Sequence, residues 1–292
     1  MINDSELILN KDGSIYHLNL MPEDIADTII TVGDPDRVAK VSQYFDRIEL
    51  QKGKREFITH TGYIGQKRIS VISTGIGTDN IDIVFNELDA LVNIDFVSKG
   101  LKSKLTSLNI IRIGTSGAVQ SDIEMGTILA SSFGVGFDAL MQYYIKPYSS
   151  AERKLEKAIW DAFPNLYLKP YVAEASAALL AQYAYDLPQG VTMTAPGFYA
   201  PQGRNVRSEN TFPNLIQLAN TFQSEDLRIT NLEMETAGIY ALSRMFGHHA
   251  LSINAILASR VAGHFSSEPE KVIDRAIKLV WNAFNLIEKE WF

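Results

Sequence analysis

Asn109-Ile110-Ile111-Arg112-Ile113-Gly114-Thr115-Ser116-Gly117 is the stretch that decides how the chain is read. Its first five residues form a β-branched apolar run broken by one guanidinium. Its last four are small or polar, as at the end of a strand. Three other runs end the same way: Thr28 to Val32 before Gly33, Ile69 to Ile72 before Ser73-Thr74-Gly75, and Ala250 to Leu257 before Ala258-Ser259-Arg260. Segments of helical periodicity separate and follow them, at Asp79 to Val97, Ala151 to Phe163, Ala173 to Ala184, Glu233 to Phe246 and Glu268 to Glu290. The last carries Val272, Ile273, Ala276, Ile277, Val280, Phe284 and Ile287 at the i, i+3, i+4, i+7 spacing of a core-packing helix. Strands alternating with helices predict an α/β protein built around a sheet. Ligands of such sheets gather at the carboxyl ends of the strands, so the small and polar endings are where chemistry is expected.

The chain has 292 residues, 46% of them hydrophobic, enough to bury a substantial core. It has no internal repeat, low-complexity tract or Pro/Gly-rich linker, so residues 1–292 are read as one domain. Against 34 Asp+Glu stand 27 Lys+Arg, and the formal charge of −7 lacks the basic footprint that nucleic-acid binding needs. An anionic ligand must then be met by a local cluster of Arg. With no Cys, disulfides, thiolate metal sites, Cys nucleophiles and iron–sulfur clusters are excluded. The start, Met1-Ile2-Asn3-Asp4-Ser5-Glu6, is not that of a signal peptide, and no apolar stretch approaches a membrane span. A cytoplasmic protein with no membrane or nucleic-acid partner is the expectation. The basic segment from Ser98 to Lys104 reads as a solvated surface turn.

Several segments carry candidate chemistry, each with a plainer alternative. In Gly33-Asp34-Pro35-Asp36-Arg37 a strand stops and a helix starts, a geometry that aims N–H groups at an anion. Asp34 could equally be only an N-cap, and Arg37 a surface charge. Arg112 lies on one strand face between Ile110 and Gly114, where an unpaired guanidinium would be costly. A protein carboxylate could meet it; an anion bound beside the Thr115 and Ser116 hydroxyls is the reading we favour. Arg55 in Lys54-Arg55-Glu56-Phe57, and His17 after Ile15-Tyr16, are by themselves indistinguishable from surface residues. Asn231-Leu232-Glu233-Met234-Glu235-Thr236, between a short strand and a helix, offers two carboxylates that a helix would point about 200° apart, one toward a pocket; a simple acidic helix start is the alternative. Gly197-Phe198-Tyr199-Ala200-Pro201-Gln202-Gly203-Arg204 sets a ring, an amide and a guanidinium on a shaped loop. That set suits the face and edge of a flat heterocycle, unless it is a generic aromatic loop. The five His show no metal spacing, and HExxH, GxxxxGK[ST], complete GxGxxG and GxSxG motifs are absent, so no metal site is expected.

Taken in order, Gly-Asp-Pro-Asp-Arg at 33–37, Ser-Thr-Gly-Ile-Gly at 73–77, Arg-Ile-Gly-Thr-Ser-Gly at 112–117 and Glu-Met-Glu at 233–235 resemble the nucleoside phosphorylase family. The Gln-Gly-Arg loop at 202–204 resembles its uridine phosphorylase branch, and the likeness runs from about His17 to the final helix. It implies a single α/β domain with a central mixed sheet or distorted barrel flanked by helices. It implies reversible phosphorolysis of a pyrimidine nucleoside, with inorganic phosphate as co-substrate and no cofactor. By the same likeness Gly33, Arg37, Arg55, Arg112 and Thr115 bind phosphate, and His17, Thr115, Met234 and Glu235 bind ribose. Phe198, Gln202, Arg204 and Arg260 hold the base, with Arg204, Gln202 and Arg112 the catalytic group and Glu233 a structural carboxylate. His17 and Arg55 resemble residues lent by a neighbouring subunit, His17 reaching the ribose 5′-hydroxyl, implying a homodimer as minimal active unit, or a hexamer built from it. Ser259-Arg260 stands where purine-cleaving relatives carry an Asp, so a purine nucleoside phosphorylase is the second expectation, and a nucleoside-binding protein without turnover the third. The choice among uridine, deoxyuridine and thymidine stays open.

Overall fold

The computed structural model describes residues 2–164 and 166–289. The chain forms two compact units, Met1–Ile111 with Leu242–His249, and Arg112–Ala241 with Ala250–Phe292. The first contains β1 (Thr28–Val32), α1 (Pro35–Ser42), β2 (Arg47–Lys54), β3 (Phe57–Ile64), β4 (Lys67–Ser73), α2 (Thr78–Asn93), β5 (Ile94–Asp95) and β6 (Gly100–Leu101). Its sheet runs β1-β4-β3-β2; β1 and β4 are parallel, and β4, β3 and β2 form an antiparallel meander. Asp34 caps α1 by accepting the Asp36 N–H at 3.0 Å, and Pro35 occupies the first turn where its missing donor costs nothing. The helix predicted to run to Val97 stops at Asn93. There Asp95 accepts the N–H groups of Val97 and Ser98, and residues 94–95 pair with 100–101 in a small ribbon.

The chain enters the second unit along β7 (Asn109–Ala118). There follow β8 (Ile128–Gly136), α3 (Ser150–Ala162), β9 (Tyr171–Glu174), α4 (Ala177–Tyr183), β10 (Gln189–Thr194), α5 (Leu215–Thr221), β11 (Gln223–Ser224), β12 (Leu227–Glu233), α6 (Thr236–Phe246), β13 (His249–Ser259), β14 (His264–Phe265) and α7 (Pro269–Lys289). Here β12, β10, β8, β13 and β7 are neighbours in that order, and a further β12–β7 pairing closes them into a five-stranded barrel. Parallel pairs (β12–β10, β10–β8) and antiparallel ones (β8–β13, β12–β7) make it a mixed barrel. The expected α/β architecture with a mixed sheet and distorted barrel is therefore present.

A layer of Val135, Ile159, Phe163, Val172, Met193 and Leu232 fills one core between barrel and helices. The barrel itself holds polar residues from all five strands. The hydroxyls of Ser131 and Thr192 are 2.6 Å apart; Thr192 donates to Asn231 at 2.9 Å, and Asn231 to Ser116 at 2.9 Å. Asn254 donates to Ser131 at 2.9 Å, so every strand joins one buried network.

Three further expectations are corrected. The helix predicted over Ala173 to Ala184 is a strand followed by a short helix, because residues 171–174 pair with 133–136 and bury Val172 and Ala173. The Asn109 strand does not end at Ile113 but continues through Ala118, where its partner is Asn231. The helix predicted from Glu233 starts at Thr236, with Glu233 still in β12. The terminal helix starts at Pro269 as its periodicity implies; its predicted end at Glu290 lies outside the described residues.

Candidate active site

In β7 the alternation of a strand puts Arg112, Gly114 and Ser116 on one face, the barrel interior. Arg112 is buried, and its Nη1 donates to Asn254 Oδ1 at 3.0 Å and to Ser252 Oγ at 3.3 Å. Its Nη2 lies 2.6 Å from Glu235 Oε2 and 3.0 Å from Glu233 Oε2. Burial alone would lower the guanidinium's pKa. The two carboxylates outweigh it and hold Arg112 above its ordinary value. Gly114 makes this possible: a Cβ there would stand 1.8 Å from Nη1. The anion favoured from sequence is thus replaced, in the protein alone, by the carboxylate alternative. Ser116, expected beside that anion, is committed to Asn231, and Thr115 lies on the opposite face, half-buried.

Glu233 also accepts the N–H groups of Glu235 at 2.9 Å and Thr236 at 3.0 Å and the hydroxyl of Thr194 at 2.7 Å. It caps α6 and leaves half-buried Met234 and buried Glu235 on the connection. The two carboxylates do not diverge by 200°, because the strand end and cap that carry them are not helical; both reach one guanidinium.

The base loop belongs to the same unit. Residues 200–202 form a 3-10 turn closed by Gly203 in the left-handed region at φ 69°. This turn buries Gln202, whose Oε1 accepts from Arg204 Nη1 at 2.6 Å. The same Nη1 donates to the Phe198 carbonyl at 2.6 Å, and the guanidinium lies 3.8 Å from the centroid of the Phe198 ring. Phe198 remains half-exposed. Burial, and then the charge of Arg260, push Arg204 down to about 10. Arg260 follows β13 with its stem over Gly117, where a Cβ would stand 3.1 Å from Cγ. Its Nη1 is buried with no hydrogen-bond partner, and burial lowers its pKa too. Arg204, held down in part by the charge of Arg260, thus stands with an amide and an aromatic ring, and Arg260 adds a buried donor left unsatisfied.

In the first unit Gly33 and Arg37 lie at the start of α1, and Arg55 is exposed at the tip of the β2–β3 hairpin at φ 57°. His17 is held by Glu87, with Nδ1 2.7 Å from Oε1. Sequence reasoning missed Asn254, Ser252 and Glu87. Ser252 and Asn254 had a signal, two polar residues at period two inside an apolar strand; Glu87 looks like any polar position of an amphipathic helix. Among the described residues no group of three or more His, Asp or Glu is placed to hold a metal ion, and no helix is long and apolar enough to cross a membrane.

Comparison with known proteins places this geometry. Residues 27–289 match the sequence profile of the Phosphorylase superfamily. A uridine phosphorylase of Thermococcus kodakarensis is 30% identical over 275 residues, 92% of this chain and 88% of that protein. A Trypanosoma brucei nucleoside phosphorylase whose crystal structure is described as showing uridine phosphorylase activity aligns with a TM-score of 0.86 at 27% identity, over 95% of this chain and 98% of that one. A DeoD-type purine nucleoside phosphorylase of Caldanaerobacter subterraneus subsp. tengcongensis is 29% identical over 260 residues, 87% of this chain and 92% of that protein. The chain belongs to the phosphorylase superfamily.

Proposed function

We propose that this protein is a uridine phosphorylase, a pentosyltransferase that converts uridine and phosphate reversibly to uracil and ribose 1-phosphate. The observation that carries the reading is the donor set of the base loop: Gln202 and Arg204 locked together at 2.6 Å, the open Phe198 ring against Arg204, and Arg260 with a buried, unpaired nitrogen. A departing uracil carries negative charge into its ring carbonyls, and donors fixed in advance stabilise that charge. With Oε1 of Gln202 held by Arg204, the amide N–H2 is the end left to donate. The relatives named uridine phosphorylase support the same substrate.

Phosphate is oriented by Gly33, Arg37, Arg55, Arg112 and Thr115 and attacks ribose C1′ as the glycosidic bond breaks through an oxocarbenium-like sugar. His17, Thr115, Met234 and Glu235 hold the ribose, Glu235 by its hydroxyls and His17 by the 5′-hydroxyl. No cofactor is required beyond phosphate as co-substrate. Because His17 and Arg55 serve a neighbouring subunit's site, the active unit is at least a homodimer, and the enzyme works in the cytoplasm.

Uridine and inosine, each incubated with and without phosphate and separated by chromatography, test the reading. Uracil and ribose 1-phosphate formed only with phosphate is the expected result. Hypoxanthine release moves the chain to the purine branch, and no turnover of either nucleoside refutes the uridine phosphorylase reading while leaving the fold standing.

A further inference from the structure

Glu87, on α2, spends its carboxylate on the segment that carries His17. Both oxygens lie 3.0 Å from the His17 backbone N–H, Oε2 accepts the Leu18 N–H at 2.8 Å, and Oε1 meets His17 Nδ1 at 2.7 Å. Leu18 is fully buried and the Glu87 side chain is 13% exposed, whereas the His17 side chain remains 25% exposed. The ring is packed edge-on against Tyr16, centroids 4.7 Å apart, and against Phe57 at 6.4 Å. Lys54 secures the same segment by donating to the Tyr16 carbonyl and, at 3.0 Å, to Asn10.

An ionised carboxylate can only accept, so the nitrogen facing it must carry a proton. Glu87 therefore fixes the imidazole in the Nδ1–H tautomer as well as in rotation, and Nε2 of the neutral ring is left as an acceptor. We infer that Glu87 is a positioning residue for ribose recognition: by holding Nδ1–H it presents the Nε2 lone pair of His17 to the 5′-hydroxyl of the nucleoside. The inference rests on the proposed reading of His17 as the 5′-hydroxyl contact. It adds a specificity element remote from the bond that breaks, and it predicts discrimination for a hydroxyl that takes no part in the reaction.

The test compares kcat/KM for uridine with that for 5′-deoxyuridine, which lacks only that hydroxyl, in the intact enzyme and in His17→Ala, Glu87→Ala and the double variant. The native ratio is expected to be about tenfold, the worth of one well-made hydrogen bond. Both single variants should bring it close to one, and the double variant should lose nothing further. If His17→Ala leaves the ratio intact, the ribose reading of His17 fails, and this inference with it. If His17→Ala collapses the ratio but Glu87→Ala slows both substrates equally, Glu87 is only an anchor for the segment and the inference alone falls. Should Glu87→Ala not fold, Glu87→Gln is measured instead. It keeps the shape but offers one oxygen to three N–H groups, so the ratio should fall at least threefold; an unchanged ratio overturns the assignment.

Discussion

Replacing Gly114 with Ala adds a single methyl group, and the structure sets its cost. That carbon would stand 1.8 Å from Arg112 Nη1, 2.2 Å from Cζ and 2.6 Å from Nη2. Ordinary contact needs about 3.5 Å, so the guanidinium must retreat by roughly 1.5 Å. A retreat of that size breaks its bonds to Asn254 at 3.0 Å and Glu235 at 2.6 Å, and with its side chain 6% exposed Arg112 finds no water in exchange. Breaking a buried ion pair costs about 3–5 kcal/mol. The backbone at 114 has no positive φ, so Ala recovers only ~0.4–1 kcal/mol through the unfolded chain. At about 2 °C per kcal/mol for a chain of this size, the melting temperature should fall by roughly 5–8 °C. KM for phosphate should rise and kcat/KM fall on the order of a hundredfold. Thermal melts and steady-state kinetics check both, and Arg112→Met supplies the control. Once the colliding group is gone, adding Gly114→Ala should cost little. A melt within 2 °C of the parent, or an equal loss in the Arg112→Met background, would refute the reasoning.

Three other outcomes follow from the same contacts. Arg204→Ala should lower kcat about a hundredfold, as for loss of one preorganised donor, while KM for phosphate stays within twofold; unchanged turnover excludes its role toward the leaving base. Arg260→Met removes a guanidinium with a buried, unpaired nitrogen, so the unliganded protein should melt about 2–5 °C higher while kcat/KM for uridine drops; a lower melting temperature would mean that the group is satisfied by the fold. Burial, aided by His249, holds His248 down at about 4, its Nδ1 accepting the Leu108 N–H at 3.2 Å. The unfolded chain takes up a proton near 6.5 while the native state resists, so this stability is complete above about pH 6.5 and is lost as pH falls toward 4. The loss reaches about 3 kcal/mol. Asp89, raised by burial and 3.5 Å away, gains stability in the same direction of pH and offsets part of it. His248→Gln should therefore flatten the acid limb of the urea midpoint against pH; a parallel curve removes His248 as its cause.

Those strands that bury apolar side chains on both faces were legible: Thr28 to Val32 and the start of the Asn109 run read as continuous β-branched stretches, and the structure has strands there. Two barrel strands were not, and a third was read only as a short strand before the 231–236 segment, because their inward positions are polar. Ser131 in β8, Thr192 in β10 and Asn231 in β12 interrupt the apolar pattern, and only closure of the barrel brings these groups together. The same fact explains why Arg112 was found and its partners were not. A guanidinium in an apolar run signals a need for compensation, but Glu233 and Glu235 are 121 and 123 residues further on, and the sequence alone could not choose between them and a bound anion.

The buried network explains how a barrel can be polar inside and still specify one structure. Each inward group has a partner: Ser116 joins Asn231, Asn231 joins Thr192, Thr192 joins Ser131, and Ser131 joins Asn254. That chain ends on Arg112, so a change of register in any one strand would leave a buried donor unpaired at a cost of about 1–3 kcal/mol. The network that fixes strand register therefore also fixes the guanidinium. Asn254→Leu tests this link: an apolar group of similar size removes one bond to Arg112 and one to Ser131 without adding charge. If the network orients the site, KM for phosphate should rise several-fold more than the loss of stability alone accounts for. A variant that melts lower but binds phosphate as the parent does would confine the network to folding.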